Sequence, residues 1–203
     1  MNKLNTIFFI LLIGIFIAGC TNLGDEIDYD DEVSNAMGTR AGLATVITYP
    51  TVSEMASNYQ VVASMAAAWN STIDAVRRGY RQEYGFFIYY DYIKNEIKPG
   101  SIVMGGAITG CAGTNASINL GIPTSNLQVC GFFHTHTPLN NCSQGDSRVV
   151  GPSGTDTRAY NGTLPGLLYD FVGTNGVIIG GHSLSAPKKL YTFGPNRKAS
   201  INI

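Results

Sequence analysis

The sequence predicts an α/β or α+β layered domain, on three observations. A helical pattern over residues 53–78 is followed by runs of β-branched and aromatic residues, which favour strands. A second helix start near Ser153 lies between two groups of strands, so helices and strands alternate along the chain. The 203 residues are 44% hydrophobic and 13% charged, a composition that excludes a disordered chain and suffices for one domain.

The first 20 residues have the pattern of an export signal. Lys3 precedes an apolar run at residues 7–18, which is shorter than the roughly 20 residues that span a bilayer. The run ends in IAGC, which resembles the lipobox of bacterial lipoproteins. This resemblance implies a signal peptide over residues 1–19, a lipid on Cys20, and a protein anchored in the bacterial outer membrane or at the cell surface.

Residues 20–45 are predicted to be a flexible acidic tether. Six of the 14 acidic residues fall within it: Asp25, Glu26, Asp28, Asp30, Asp31 and Glu32. Such a segment buries too little apolar surface to fold. It resembles the export tags of some surface lipoproteins, and a plain solvated linker fits equally well. The folded domain is expected over residues 46–203, and the net charge of −1 gives no support to nucleic-acid binding.

The helix predicted at residues 53–78 has Ser53 as its expected N-cap and Gly79 as its expected end. Its apolar stripe comprises Val61, Met65, Ala68, Trp69, Ile73 and Val76. Strands are predicted at residues 84–93, 101–109 and 127–136. A helix is then predicted from near Ser153 to about Phe171, with Gly162 and Pro165 as points where it could be interrupted. Two strands follow at residues 176–181 and 189–193 and could form a hairpin.

Two of the three histidines, His134 and His136, stand two positions apart on the predicted strand 127–136. Side chains at this spacing project from the same face of a strand. Two neighbouring imidazoles suit a divalent metal, and a catalytic zinc site needs one more protein ligand and an open position for water. Asp156, at the predicted helix start, is the expected third ligand. The predicted cofactor is one Zn²⁺ per chain.

The histidine pair, followed by Ser153 and Asp156 in an SxxD pattern, resembles the JAMM motif of JAB/MPN-domain metallopeptidases. That motif begins with an upstream glutamate, and Glu83 stands in front of the strand predicted at residues 84–93. The resemblance covers roughly residues 50–195. It implies a JAB/MPN-like fold, similar to that of cytidine deaminases, in which helices flank a central mixed sheet.

The resemblance also implies an activity, the hydrolysis of an amide bond. The zinc ligands would be His134, His136 and Asp156. Glu83 would be the general base, and Ser153 would donate a hydrogen bond to the oxyanion. The substrate would be a protein or peptide, and a peptidoglycan stem peptide would be within reach of an envelope protein.

The spacing departs from the family at the serine. Ser153 follows His136 after 16 residues, which is longer than usual, whereas Ser143 follows after six and opens a second SxxD pattern with Asp146. Ser153 with Asp156 is preferred, because a proline before the serine and an acidic residue three positions later are typical of a helix start with a capping box. Ser143 and Asp146 remain the alternative serine and third ligand.

Other residues support competing interpretations. Besides Cys20 the chain has Cys111, Cys130 and Cys142, among which one disulfide at most is expected. Cys111 with a downstream histidine resembles the nucleophile and base of the NlpC family of envelope cysteine peptidases, the less favoured enzyme. The main alternative is a non-catalytic JAB-fold surface lipoprotein that acts as a binding module. His182, after a predicted strand, is a candidate substrate contact.

Overall fold

The computed structural model describes residues 45–109, 116–123, 125, 127–137, 150–171 and 188–202, which belong to one unit spanning residues 43–203. The signal peptide, the tether up to residue 44 and the strand predicted at residues 176–181 lie outside these ranges. So do several candidate functional residues, namely Cys20, Cys111, Cys142, Ser143, Asp146 and His182. Among the described helices, none is long and apolar enough to cross a membrane.

In chain order the elements are β1 (Val46–Ile47), α1 (Val52–Ser57), α2 (Tyr59–Arg77), β2 (Tyr80–Arg81), β3 (Tyr84–Asp91), β4 (Glu96–Pro99), β5 (Val103–Met104), β6 (Ile108–Thr109), β7 (Gln128–Thr135), α3 (Gly154–Arg158), β8 (Gly166–Phe171), β9 (Lys188–Phe193) and β10 (Ile201–Asn202). A 3-10 turn at Ala159–Gly162 follows α3.

The central sheet has the strand order β4-β3-β7-β8-β9, and β5 also pairs with β3. Its strands are antiparallel except for β7 and β8, which run parallel. Two small antiparallel pairs lie apart from it, β1 with β10 and β2 with β6. The described residues therefore form a mixed α/β domain with a mixed sheet and few helices, which confirms the coarse fold class.

One face of the sheet packs against α2. The buried side chains at this contact come from α2 (Val61, Met65, Ala68), β3 (Phe86, Ile88), β7 (Cys130, Phe133) and β8 (Leu167). The opposite face carries a second cluster built around Phe87, Tyr89, Leu120 and Phe132. A register shift between Ile88 and Tyr89 explains why Cys130 and Phe133, three residues apart, face the same side, because a bulge adds one residue to the alternation.

The helix predicted over residues 53–78 is in fact two helices. Asn58 has an extended backbone (φ −67°, ψ 125°) and its side chain accepts hydrogen bonds from the backbone of Gln60 and Val61, so it ends α1 and caps α2. The predicted cap Ser53 is wrong, since Thr51 caps α1 in a capping box with Glu54. The apolar stripe is confirmed as buried, and α2 ends close to Gly79, whose φ of +85° is typical of a helix stop.

The prediction of a helix from Ser153 to Phe171 is wrong beyond residue 158. After α3, Tyr160 and Asn161 have left-handed backbone angles, and Pro165 precedes the buried strand β8. Leu167 and Leu168 are both wholly buried, because β8 is covered on both faces. A strand of this kind has no polar and apolar alternation, so its pattern resembles that of a buried helix.

Three of the other predicted strands are confirmed. The strands predicted at residues 84–93, 127–136 and 189–193 correspond to β3, β7 and β9. The segment 101–109 contains two short strands, β5 and β6, separated by its glycines. β9 pairs with β8, while its predicted hairpin partner lies outside the described residues.

Candidate metal centre

The two histidines lie at the end of β7, on the face of the sheet opposite α2. Side chains at alternate positions of the strand share this face, which therefore presents Phe132, His134 and His136 in sequence. Both histidines are buried. The backbone N–H of His136 donates to the carbonyl of Tyr169 at 2.9 Å, so β8 holds the chain in place just after β7 ends.

Asp156 reaches the histidines from the first turn of α3. Ser153 is the N-cap: its Oγ accepts a hydrogen bond from the Asp156 N–H (3.2 Å), and its own N–H donates to Asp156 Oδ2 at 2.6 Å. This is the reciprocal capping box that the sequence predicted. The cap thus orients the carboxylate as well as starting the helix.

The donor atoms of His134, His136 and Asp156 converge. Nε2 of His134 lies 3.0 Å from Asp156 Oδ1, and Nε2 of His136 lies 3.2 Å from Oδ2. One ligand atom from each residue lies within 4.8 Å of the others. Zinc ligands at about 2.0–2.1 Å in tetrahedral geometry are roughly 3.3 Å apart. The spacing and chemistry of this group therefore fit a metal ion, although they do not select which one.

His134 Nε2 supports this interpretation. It is a fully buried nitrogen that makes no properly directed hydrogen bond, the one such side-chain atom in the described part of the chain. Its 3.0 Å contact to Asp156 Oδ1 is not aligned as a hydrogen bond. A buried polar atom left in this way costs free energy unless a ligand satisfies it.

Asp170 supports His136 from behind. Its Oδ2 lies 3.1 Å from His136 Nδ1 and accepts a hydrogen bond from the N–H of Gly151 (2.8 Å), while Oδ1 accepts one from the N–H of Phe171 (2.7 Å). A carboxylate on the second ring nitrogen fixes the orientation of a metal-binding histidine. Asp170 is not among the site residues that the sequence predicts. Its signal is an acidic residue in the apolar run GLLYDF, which falls in the predicted helix.

The pKa values of the three candidate ligands are shifted by burial and by their neighbours. Burial lowers the pKa of His134, so this imidazole is held neutral, the form that binds metal. Burial also acts to lower the pKa of His136, but hydrogen bonds to Asp156 and Asp170 and the charges of Glu83 and Asp170 raise it to about 9. Burial acts to raise the pKa of Asp156, yet the close contacts with the imidazoles of both histidines hold it far below its usual range.

Glu83 lies immediately before β3 and is buried. The antiparallel register pairs Gly85 with His134. Continued by two residues, the same register brings Glu83 opposite His136, and the side chains of Glu83 and His136 line one cleft. Gly85 permits this close approach of the strands, because a Cβ there would collide with the carbonyl of Phe133 and reach within 3.0 Å of the His134 Cβ. The backbone carbonyl of Glu83 accepts the N–H of Gly105 at 2.8 Å.

The cleft has a volume of about 840 Å³. Its described lining consists of the metal centre and residues 116–120, 152–155, 159 and 160, together with Glu83, Phe132 and Thr137. The predicted residues Glu83, His134, His136, Ser153 and Asp156 are therefore brought together at one place. The alternative serine Ser143, the alternative ligand Asp146 and the candidate substrate contact His182 lie outside the described residues.

Cys130 lies on the α2 side of the sheet. Its thiol is free, and Sγ contacts Met55 Sδ at 3.6 Å and the carbonyl of Ile88 at 3.4 Å. Burial raises the pKa of Cys130 to about 12. A thiol of this kind is a core side chain and not an activated nucleophile.

No family model matches the chain, and neither a curated protein nor a solved structure is significantly similar to it. Fold and site alone define its class, a mixed α/β domain whose sheet carries a candidate metal centre of two histidines and one aspartate.

Proposed function

We propose that this protein is a zinc-dependent hydrolase of the JAMM type that cleaves an amide bond in a protein or peptide. The observation that carries the proposal is the convergence of His134, His136 and Asp156 in a cleft that also contains Glu83. Two imidazoles and one carboxylate are the protein ligands of many catalytic zinc sites. A buried carboxylate beside such a site can move a proton.

The proposed roles follow from the positions of the side chains. Zinc bound by three protein ligands supplies a nucleophile by lowering the pKa of a coordinated water towards about 7. Glu83 would take up the proton of the nucleophile and deliver it to the leaving amine. The Ser153 Oγ accepts the Asp156 N–H, and its hydroxyl would turn to donate to the oxyanion that develops on the scissile carbonyl.

The fold assignment is part of the same proposal. Support for a JAB/MPN-like fold comes from the mixed sheet with α2 on one face, and from the order of the site residues along it. Glu83 precedes β3, the histidine pair ends the neighbouring strand β7, and the SxxD pattern starts α3. Anchoring of the domain at the bacterial envelope through a lipid on Cys20 completes the proposal and is supported by the sequence pattern alone.

The test is the zinc content and activity of the purified full-length chain in detergent. We expect about one zinc per chain, lost in His134→Ala and Asp156→Ala and retained in Asp146→Ala. Glu83→Gln should keep the metal and lose cleavage of a peptide library. Asp91→Asn, which alters another buried carboxylate on β3, is the matched control and should change neither property.

Other outcomes have distinct meanings. Loss of zinc in Asp146→Ala instead would move the third ligand to Asp146 and the oxyanion donor to Ser143. Failure of the chain to take up supplied zinc would overturn the proposal. Zinc uptake without hydrolysis of any peptide or protein offered would favour a non-catalytic binding module. Incorporation of labelled palmitate that is abolished in Cys20→Ser and retained in Cys130→Ser tests the anchor separately.

A further inference from the structure

We propose that the cleft beside the metal centre is a subsite for a bulky apolar side chain of the substrate. The substrate class would then be a polypeptide with an aromatic or branched aliphatic residue at the scissile amide, and not a peptidoglycan stem peptide. This inference rests on the proposed function and deepens it by naming the side chain that the site selects.

The apolar wall is continuous with the metal centre. Phe132 precedes His134 on the same face of β7, and their rings stack with a centroid distance of 6.1 Å and an interplanar angle of 12°. Residues two apart on a strand are separated by about 6.7 Å, which is roughly the distance from a residue's carbonyl to the tip of its aromatic side chain. A substrate carbonyl at the metal centre would thus place its own side chain at the part of the wall that Phe132 supports. Phe132 itself is only 4% exposed, so most of the contact surface belongs to the residues packed around it.

Tyr160 forms a second part of this wall. Its ring meets Phe132 edge-on at 4.9 Å and Phe87 at 5.4 Å, and 36% of the residue is exposed. Its φ of +51° is costly for a bulky residue. The ring contacts offset that cost, and they leave one surface of the tyrosine open to the cleft.

Ile118 and Leu120 add aliphatic surface from the segment 116–120. Both belong to the cluster around Phe87 and Phe132, and both line the cleft. A side chain that enters here would replace water on an apolar surface. The free energy gained by such burial grows with the apolar area removed from water, so it favours large apolar groups over small or polar ones.

The positions of the ionisable side chains along the cleft also favour an apolar substrate side chain. Among the described residues that line the cleft, the ionisable groups other than the Tyr160 phenol are Glu83, His134, His136 and Asp156, which are the metal centre and the proposed general base. Beyond that group, the lining residues that the structure describes include no cation to pair with a substrate carboxylate. The guanidinium of Arg158 lies beside Gly154 but is not part of that lining. Stem peptides are made of small and charged residues, and burying an unpaired charge against such a wall is unfavourable.

The test uses amino-acid hydroxamates, whose metal-binding group anchors each side chain at the same place. Their affinities for the zinc-loaded full-length chain are measured by calorimetry, a readout that does not require turnover. We expect phenylalanine and leucine hydroxamates to bind at least tenfold more tightly than those of alanine or glutamate. Cleavage sites in a degenerate peptide library should show the same preference.

Tyr160→Gly tests the wall directly, because glycine keeps the left-handed backbone and removes the ring. We expect it to reduce the advantage of phenylalanine over alanine about tenfold while zinc stays bound. Asn161→Gly is the matched control, since Asn161 has a similar φ of +55° and should keep the preference. Ile118→Ala, a milder change in the other segment, should reduce the preference for leucine.

The outcomes separate the two proposals. Zinc uptake with equal affinities, or with tighter binding of the glutamate hydroxamate, would overturn the subsite and leave the hydrolase standing. Retention of the full preference in both Tyr160→Gly and Ile118→Ala would also overturn it. Failure to take up zinc would overturn the hydrolase, and the subsite with it.

Discussion

The Thr135 hydroxyl accepts a hydrogen bond of 3.0 Å from the backbone N–H of Tyr84. Thr135 stands between the two histidines of the candidate metal centre, and Tyr84 directly follows Glu83. The same hydroxyl lies 2.6 Å from that of Thr72 on α2, in the buried interior. One side chain therefore connects β7, β3 and α2 and sets the position of the proposed general base relative to the proposed metal ligands.

Replacing Thr135 by valine should separate these two parts of the site. Thr135→Val keeps the shape of the side chain but leaves the Tyr84 N–H without its acceptor and the Thr72 hydroxyl without its partner, which costs about 1–3 kcal/mol of folding stability. We expect zinc to stay bound and kcat to fall, because the histidines remain on β7 while Glu83 shifts. Urea denaturation, zinc content and kcat measure the three effects.

Thr135→Ser is the control for that prediction. It retains the hydroxyl and loses only the methyl group, so kcat should recover to near the wild-type value even if stability falls slightly. A kcat equally low in the serine and valine variants would show that the hydroxyl does not position Glu83.

The sequence was sufficient to predict the parts of the site that depend on local geometry. Two histidines two apart must share a strand face, and Ser153 with Asp156 must form a capping box if a helix starts there. The helix break at Asn58 was missed because its polar side chain fits an exposed helical position as well as a cap. Asp170 was missed because its role depends on β8 lying parallel beside β7, a nonlocal pairing that no short pattern encodes.

The role of Asp170 can be measured through metal affinity. Asp170→Asn removes the charge that supports His136 Nδ1 but keeps one acceptor oxygen for the N–H of Gly151 or Phe171. Loss of such a supporting carboxylate typically lowers metal affinity 10- to 100-fold. We expect a decrease of this size in zinc affinity, measured by competition with a chromogenic chelator, at unchanged stoichiometry. Asp91→Asn should leave the affinity unaltered, and a similar decrease there would indicate a general loss of structure.

The buried thiol of Cys130 predicts a loss of stability in alkali. Its pKa is about 9 when exposed and about 12 in the folded chain, so folding favours the protonated form. This contribution is complete below pH 9 and is lost as the pH rises through 12. Cys130→Ala lacks it, so the difference in urea midpoint between wild type and variant should shrink between pH 8 and pH 11.

Alkylation gives an independent measurement on the same residue. With the chain folded at pH 8, iodoacetamide should leave the peptide that contains Cys130 unmodified, and it should modify that peptide fully in urea. Rapid modification of the folded chain would contradict the burial of this thiol.

Ser153 is proposed to have two roles, as a helix cap and as a hydrogen-bond donor to the oxyanion. A matched substitution at Thr51, which is only a cap, separates the two roles. Both residues open a capping box, and replacing such a cap by alanine costs about 1 kcal/mol. Ser153→Ala and Thr51→Ala should therefore destabilise the chain to a similar extent in urea. Only Ser153→Ala should also lower kcat, by 10²- to 10³-fold if it removes an oxyanion donor.

If Thr51→Ala lowered kcat as much, the loss would be due to the lower stability of the fold. If neither lowered kcat, the donor role would pass to another group, such as Ser143.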